Sequence, residues 1–330
     1  MTRLGSRAFK APLALTQGDP KGVGPEITLK AFCARKDQDL PPFFVIGQPE
    51  LYKRTSEDLG LKVPVEAATA EAACDVFARA LPVIPLAPDL TGPAATIRSI
   101  ELAVEAVAQG RARAVVTNPI SKAALYDAGF KHPGHTEFLG ELAQRHFGAP
   151  ARPVMMLWSE ELAVVPVTIH VALSRAPELL THELIVETGR IVARDLRNRF
   201  GLASPRLAFA GLNPHAGEGG AMGREEIEVI SPAIAELRAE GVDARGPFPA
   251  DTLFHAAARK TYDVALCPTH DQALIPIKTL AFERAVNVTL GLPFFRASPD
   301  HGTAFDIAGR GVADPTSLIE AIKLAGRVSA

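Results

Sequence analysis

The chain has 330 residues, 47% hydrophobic and 22% charged, with a formal net charge of −2, the balance of a globular enzyme with one large α/β unit or two lobes. That charge leaves no electrostatic footprint for nucleic acid or an anionic membrane, and aromatics at 6% argue against a platform for stacking bases. No apolar stretch approaches the ~18 residues of a membrane span, and the basic start MTRLGSRAFKAPLAL has too short an apolar run for a secretory signal, so a cytoplasmic protein is expected.

Apolar runs of strand length alternate with helical patterns. PLALTQ reads as a strand and leads to a helix through Pro25–Ala34, with Pro25 suited to its first turn. FFVIG, LPVIPL and AVVTNP follow as strands, with helices near Pro49–Leu59 and Ala95–Gln109 and another over His135–His146. PVMMLW and LAVVPVT, separated only by Ser159–Glu161, read as a hairpin. Helices are then expected near Glu183–Arg199, Gly223–Glu240, Asp251–Ala258 and Pro315–Ala325, among the strands RLAFAG, DVALCP and AVNVTLG. This alternation predicts an α/β protein with a mostly parallel sheet, helices on its faces and an antiparallel part in the middle. No linker or repeat marks a boundary. The expected division is a terminal lobe, 1–134 plus 295–330, and a middle lobe, 135–294.

Three histidines end apolar runs: His170 in VVPVTIHVALS, His215 in LAFAGLNPHAGEGG and His270 in VALCPTHDQALIPIK. Each is expected just beyond the carboxyl end of a strand, where open α/β sheets place their chemistry. Three neutral imidazoles with an open fourth position suit a catalytic divalent metal; a lone histidine in such a loop is more often a hydrogen-bonded structural residue, and it is the three parallel contexts that favour the metal. Cys33, Cys74 and Cys267 are an odd, widely spaced set, against a disulfide framework. Cys267 and His270 have the C-x-x-H spacing of half a structural zinc site, but no second cysteine pair completes it, and core packing is the competing reading.

TQGDPKGVGPEI, from Thr16 to Ile27, resembles a phosphate-cradling turn but matches no nucleotide fingerprint, so a tight βα turn is equally open. His132, His135 and Thr136 precede a helix. Thr136 could cap it, leaving its first turn to favour an anion beside His135. Lys278, Asn287 and Arg296 each interrupt an apolar, strand-like segment. An anionic ligand such as a phosphate would satisfy them, as would salt bridges to Asp271, Glu283 or Asp300. SPDHGTAFDIAGRGVADP resembles the adenosine-binding loop of isopropylmalate and isocitrate dehydrogenases, with His301, Gly302, Thr303, Ala304, Asp306, Ile307, Ala308, Gly309 and Gly311 filling the pattern.

These segments, with VTNPISKAALYDAGF, GHTEFL, GPFPADTLF and NVTLGLPF, resemble the 4-hydroxythreonine-4-phosphate dehydrogenase (PdxA) family over essentially the full length. The resemblance implies two α/β/α lobes of the isocitrate/isopropylmalate dehydrogenase kind with a cleft between them. It implies a homodimer with shared active sites, and NAD or NADP with a divalent ion (Zn2+, Mg2+ or Co2+) as cofactors. Its metal ligands fall on His170, His215 and His270, its substrate contacts on His135, Thr136, Lys278, Asn287 and Arg296, and its dinucleotide loop on His301, Gly302, Thr303, Ala304 and Asp306. Lys278 and Asp251 are the expected catalytic side chains, Asp251 as proton relay or amine contact, or else only a helix cap. The implied reaction oxidises 4-phosphooxy-L-threonine at C3, and the β-keto acid formed then loses CO2 to give 3-amino-2-oxopropyl phosphate in pyridoxal phosphate biosynthesis. The alternatives are a paralogous dehydrogenase of 4-phospho-D-threonine or a phosphorylated erythronate, or a non-redox phosphate acyltransferase of similar architecture. Thr269 departs from the family's usual tyrosine before the third histidine, and Lys21 from a usual small residue.

Overall fold

The computed structural model describes residues 11–127 and 134–328; His132 lies outside them. In chain order the first elements are β1 (Leu13–Thr16), α1 (Gly24–Cys33), β2 (Phe43–Gly47), α2 (Pro49–Asp58), β3 (Val65–Ala67), α3 (Ala73–Phe77), β4 (Leu81–Pro85), α4 (Gly92–Ala108), β5 (Val115–Val116), α5 (Lys122–Asp127) and α6 (His135–Phe147). There follow β6 (Val154–Trp158), β7 (Ala163–Pro166), α7 (Ala176–Leu179), α8 (His182–Asn198), β8 (Arg206–Ala210), α9 (Ser231–Ala239), β9 (Asp243–Phe248), α10 (Ala250–Leu253), β10 (Val264–Cys267), α11 (His270–Ala281) and β11 (Val286–Leu290). The chain ends with β12 (Arg296–Pro299) and α12 (Thr316–Arg327). Among the described residues no helix is long and apolar enough to cross a membrane.

The chain forms two compact units, one from its two ends (through Pro153 and again from Leu292) and one from Val154–Gly291. The divisions fall after Pro153 and Gly291 rather than after 134 and 294. The reason is packing: Phe138, Leu139 and Leu142 of α6 bury against Ile100, Ala103 and Val104 of α4, and Leu292 and Phe294 join the same core.

In the terminal unit the strand order is β3-β4-β2-β1-β5-β12, and every resolved pairing is parallel. β1 and β2 are buried along their whole length, which is why LALT and FFVIG read as unbroken apolar runs rather than alternating ones. In the middle unit the order is β11-β6-β7-β10-β8-β9. β6 and β7 form the expected antiparallel hairpin and β11 pairs antiparallel with β6, while β7, β10, β8 and β9 run parallel. The class is α/β with mostly parallel strands.

Several local expectations change. The helix foreseen over Asp251–Ala258 is only Ala250–Leu253, and the one foreseen over 223–240 opens as a π-helical turn, Glu226–Ile230, before α9. IPIK is not strand-like: it lies in α11, whose buried face, Ala273, Ile277 and Ala281, repeats every fourth residue despite Pro276 inside. Strands β3, β9 and β12 and helices α3, α5, α7 and α11 are additions to the elements read from sequence.

Candidate active-site residues

In the middle unit, β7, β10 and β8 are adjacent and parallel, and each leads into one of the three histidines. Pro166 pairs with Cys267, so His170 stands four residues and His270 three residues beyond the same register line. The ladder continues past the strands. The Val167 N–H donates to the Cys267 carbonyl at 2.8 Å, and both the N–H and the hydroxyl of Thr168 donate to the Pro268 carbonyl, at 3.1 and 2.7 Å. This stitching brings the His170 and His270 rings to 5.6 Å between centroids, tilted by 45°. Two imidazoles sharing one tetrahedral ion through nitrogens about 2.0–2.1 Å away would sit roughly 5–6 Å apart between ring centres, so this pair fits a shared metal. His270 Nδ1 lies 2.8 Å from Asp271 Oδ1. Such a carboxylate fixes the ring and leaves Nε2 to face an ion.

His215 follows β8 in a loop coiled in the left-handed sense, with φ of 52° at His215, 51° at Ala216 and 45° at Glu218. His170 also has a positive φ, 41°. Non-glycine residues rarely adopt this conformation, and they do so chiefly where surrounding structure imposes it, as at binding sites. Among the described residues no group of three His, Cys, Asp or Glu side chains is disposed to hold an ion. The single chain thus brings together two of the three expected ligands.

A pocket of about 840 Å³ opens beside the pair, lined among others by His170, Asp251, Phe254, His270, Asp271 and Ile275. Asp251 sits in the first turn of α10, whose cap is Pro249, so the capping reading of Asp251 does not hold. Thr269 is the N-cap of α11: its N–H donates to Gln272 Oε1 at 3.1 Å, and Gln272 Nε2 donates to the Gly211 carbonyl at the end of β8 at 2.9 Å. The Thr269 hydroxyl also donates to Gln272 Oε1, at 3.1 Å, so threonine in place of the expected tyrosine adds a side-chain contact at the helix start that presents His270. Lys278 is half-buried in α11, its ammonium 5.3 Å from the centre of the Phe282 ring. Its setting is helical, against the strand-like expectation. Asn287 is half-buried in β11, opposite Leu157 of β6. Cys267 is wholly buried in β10 among Leu157, Val164 and Ala265, and burial pushes its thiol pKa up. Core packing accounts for it.

The terminal unit holds a cationic cluster. Arg296 begins β12 beside Val115 of β5 and is only 6% exposed. Its Nε and Nη2 donate to the Thr117 hydroxyl at 3.1 and 2.6 Å, and burial pushes the guanidinium pKa down to about 10. His135 is the first residue of α6, and its buried Nε2 has no hydrogen-bond partner. Burial, then the charges of Arg296 and Lys122, hold its imidazole well below the ordinary range and therefore neutral. The helix cap is Gly134, so Thr136 lies in the first turn and does not cap. A buried guanidinium, an orphaned imidazole nitrogen and the open amides of a helix start suit an anion. Sequence reading passed over Thr117 and Lys122, though both stand in TNPISK directly after a strand.

The glycines of TQGDPKGVG answer to packing. A Cβ on Gly18 would lie 2.7 Å from Asn118 Cβ, and one on Gly22 would lie 3.0 Å from both the Cβ and the carbonyl oxygen of Thr303. The Val23 N–H donates to the Thr303 carbonyl at 2.9 Å, which binds this turn to the HGTA loop. The far end of that loop is held by the Glu26–Lys30 ion pair: Lys30 donates to the Gly311 and Ala313 carbonyls at 2.9 and 2.6 Å, and the Ala313 N–H donates to Glu26 at 2.9 Å. Along this segment His301, Gly302 and Asp306 are exposed, and Thr303 and Ala304 half-buried. Lys21 is exposed, and its N–H donates to Asp19 Oδ1 at 2.9 Å.

Comparison with known proteins finds relatives that cover nearly the whole chain. The 4-hydroxythreonine-4-phosphate dehydrogenase of Methylorubrum populi is 62% identical over 329 residues, covering 96% of this chain and 94% of that one. The protein of that name from Bradyrhizobium diazoefficiens is 55% identical, with 97% of each chain covered. The crystal structure of the Klebsiella pneumoniae 4-hydroxythreonine-4-phosphate dehydrogenase superposes with a TM-score of 0.84 at 36% identity, covering 98% of this chain and 99% of that one. The model of the pyridoxal phosphate biosynthetic protein PdxA matches residues 39–325, and the chain belongs to that family.

Proposed function

We propose that the chain oxidises 4-phosphooxy-L-threonine at C3 with a nicotinamide dinucleotide as hydride acceptor, in pyridoxal phosphate biosynthesis. The observation that carries this reading is the His170–His270 pair, 5.6 Å between centroids beyond two parallel strands, in a family whose curated relatives bear that dehydrogenase name. Hydride leaves C3 only as the hydroxyl loses its proton, so negative charge grows on that oxygen. A divalent ion held by His170, His270 and His215 would supply Lewis-acid stabilisation of this charge.

The chain's own residues do the rest. Asp271 keeps the His270 ring oriented. Asp251 lines the same pocket, and in this reading it takes a proton or holds the substrate's amine. Arg296 and neutral His135 bind the phosphate, with Thr136, Lys278 and Asn287 as further substrate contacts. A neutral imidazole donates to phosphate through one nitrogen without adding a cation that the buried site would resist. The loop from His301 to Asp306 receives the adenosine end of NAD or NADP; it is tied to the turn before α1 through Thr303, and the chain following it is held by the Glu26–Lys30 pair at Gly311 and Ala313. The β-keto acid formed then loses CO2.

We also infer a homodimer. Leu173, Ile275 and Phe282 of the middle unit are 74%, 64% and 72% exposed, and large apolar side chains left in water favour association. The test of the activity is absorbance at 340 nm with 4-phosphooxy-L-threonine, NAD+ or NADP+, and Zn2+, Mg2+ or Co2+. Metal-dependent reduction supports the reading. Turnover of a phosphorylated erythronate in its place, or none with any hydroxy acid phosphate, contradicts it.

A further inference from the structure

We propose that Glu226 is a positioning residue whose buried carboxylate holds the left-handed loop carrying His215 in shape before any ion binds. The mechanism above gives it no part, and it deepens the reading of His215 as a metal ligand, on which its functional consequence rests. Residues 215–219 all have φ between 45° and 79°, a short left-handed coil in which three of the five positions are not glycine. L-residues resist such a coil, because Cβ crowds the following carbonyl, so something outside it must fix it. Glu226, 3% exposed at the start of the π-helical turn, packs against it at Gly217. Its Oε1 accepts from the Asn213 N–H at 2.7 Å and its Oε2 from Asn213 Nδ2 at 3.0 Å.

The fit is tight on every side. A Cβ on Gly217 would come within 2.6 Å of Glu226 Oε2, and one on Gly211 within 3.1 Å of Oε1. Asn213 passes against Gly223, where a Cβ would meet its Nδ2 at 2.3 Å, and donates to Glu225 Oε2 at 2.7 Å. The carboxylate thus ties Asn213 down while Gly211 and Gly217 close on its two oxygens, and Asn213 in turn meets Gly223. A glutamine there would turn one donor toward another, because both carboxylate oxygens accept.

The test uses amide exchange on the full-length, metal-free protein, with zinc titration calorimetry alongside. In Glu226→Gln the amides of 211–223 should exchange faster while those of the remaining strands keep their protection, and zinc affinity should fall roughly 10–100-fold. Asn213→Ala removes only the side-chain half of the latch and should loosen the same segment if Glu226→Gln does not fold. Exchange unchanged across 211–223 in both variants overturns the proposal. Faster exchange there, with zinc affinity unchanged in both Glu226→Gln and His215→Ala, upholds the latch and overturns His215 as a ligand.

Discussion

Replacing Arg296 by methionine removes a charge the fold carries at a cost. The guanidinium is 6% exposed, and burial pushes its pKa from 12.5 down to about 10, which corresponds to roughly 3 kcal/mol by which the unliganded site disfavours the cation. An anion arriving beside it relieves that penalty and forms charge-assisted hydrogen bonds. Losing one partner of a buried charged contact weakens binding by about 2–5 kcal/mol, a substrate affinity roughly 30- to 5,000-fold lower. Arg296→Lys keeps the charge but loses the fork and should fall between. Calorimetry with 4-phosphooxy-L-threonine reads the affinity directly. Inorganic phosphate should also raise the melting temperature of the wild type and leave Arg296→Met unmoved. Unchanged substrate affinity in Arg296→Met would show that the guanidinium serves the fold rather than the substrate.

The other expectations concern separate features. Because His135 is held neutral in the fold, the unfolded chain takes up its proton first, so stability is lost as pH falls below about 6.5. Urea unfolding at pH 7 and 5.5 should show a shallower loss in His135→Asn, by up to about 1.4 kcal/mol per pH unit; equal slopes would refute the cause given. Gly22→Ala should cost about 1–3 kcal/mol by pressing on Thr303 and should weaken NAD+ binding, whereas an unaltered melting temperature would mean the loops can part freely. Asp271→Asn should reduce zinc affinity roughly 10–100-fold, and equal affinity by calorimetry would detach that carboxylate from the metal.

What could be read beforehand follows physical range. Strands such as LALT, FFVIG and VALC announce themselves because both faces are buried, and the histidines behind β7, β8 and β10 inherit their place from those runs. Lys278 was misplaced because IPIK carries a proline and two isoleucines, whereas the deciding pattern, Ala273, Ile277 and Ala281, spans two turns. Thr136 resembled a cap because a threonine preceded an apolar run, yet Gly134 starts the helix. Glu226 left no local signal at all: its neighbours Glu225 and Glu228 look the same in sequence, and only the loop folded around it distinguishes it. The pairing of His170 with His270 was legible as parallel context; its 5.6 Å separation depends on the register of β7 and β10.

Zinc content and turnover, measured together on the wild type and on His170→Ala, His215→Ala and His270→Ala, probe the shared cation most directly. The account predicts one ion per chain in the wild type, with ion and turnover both lost in each variant while the circular dichroism spectrum is kept. A variant that retains one tightly held ion and near-normal turnover would contradict it.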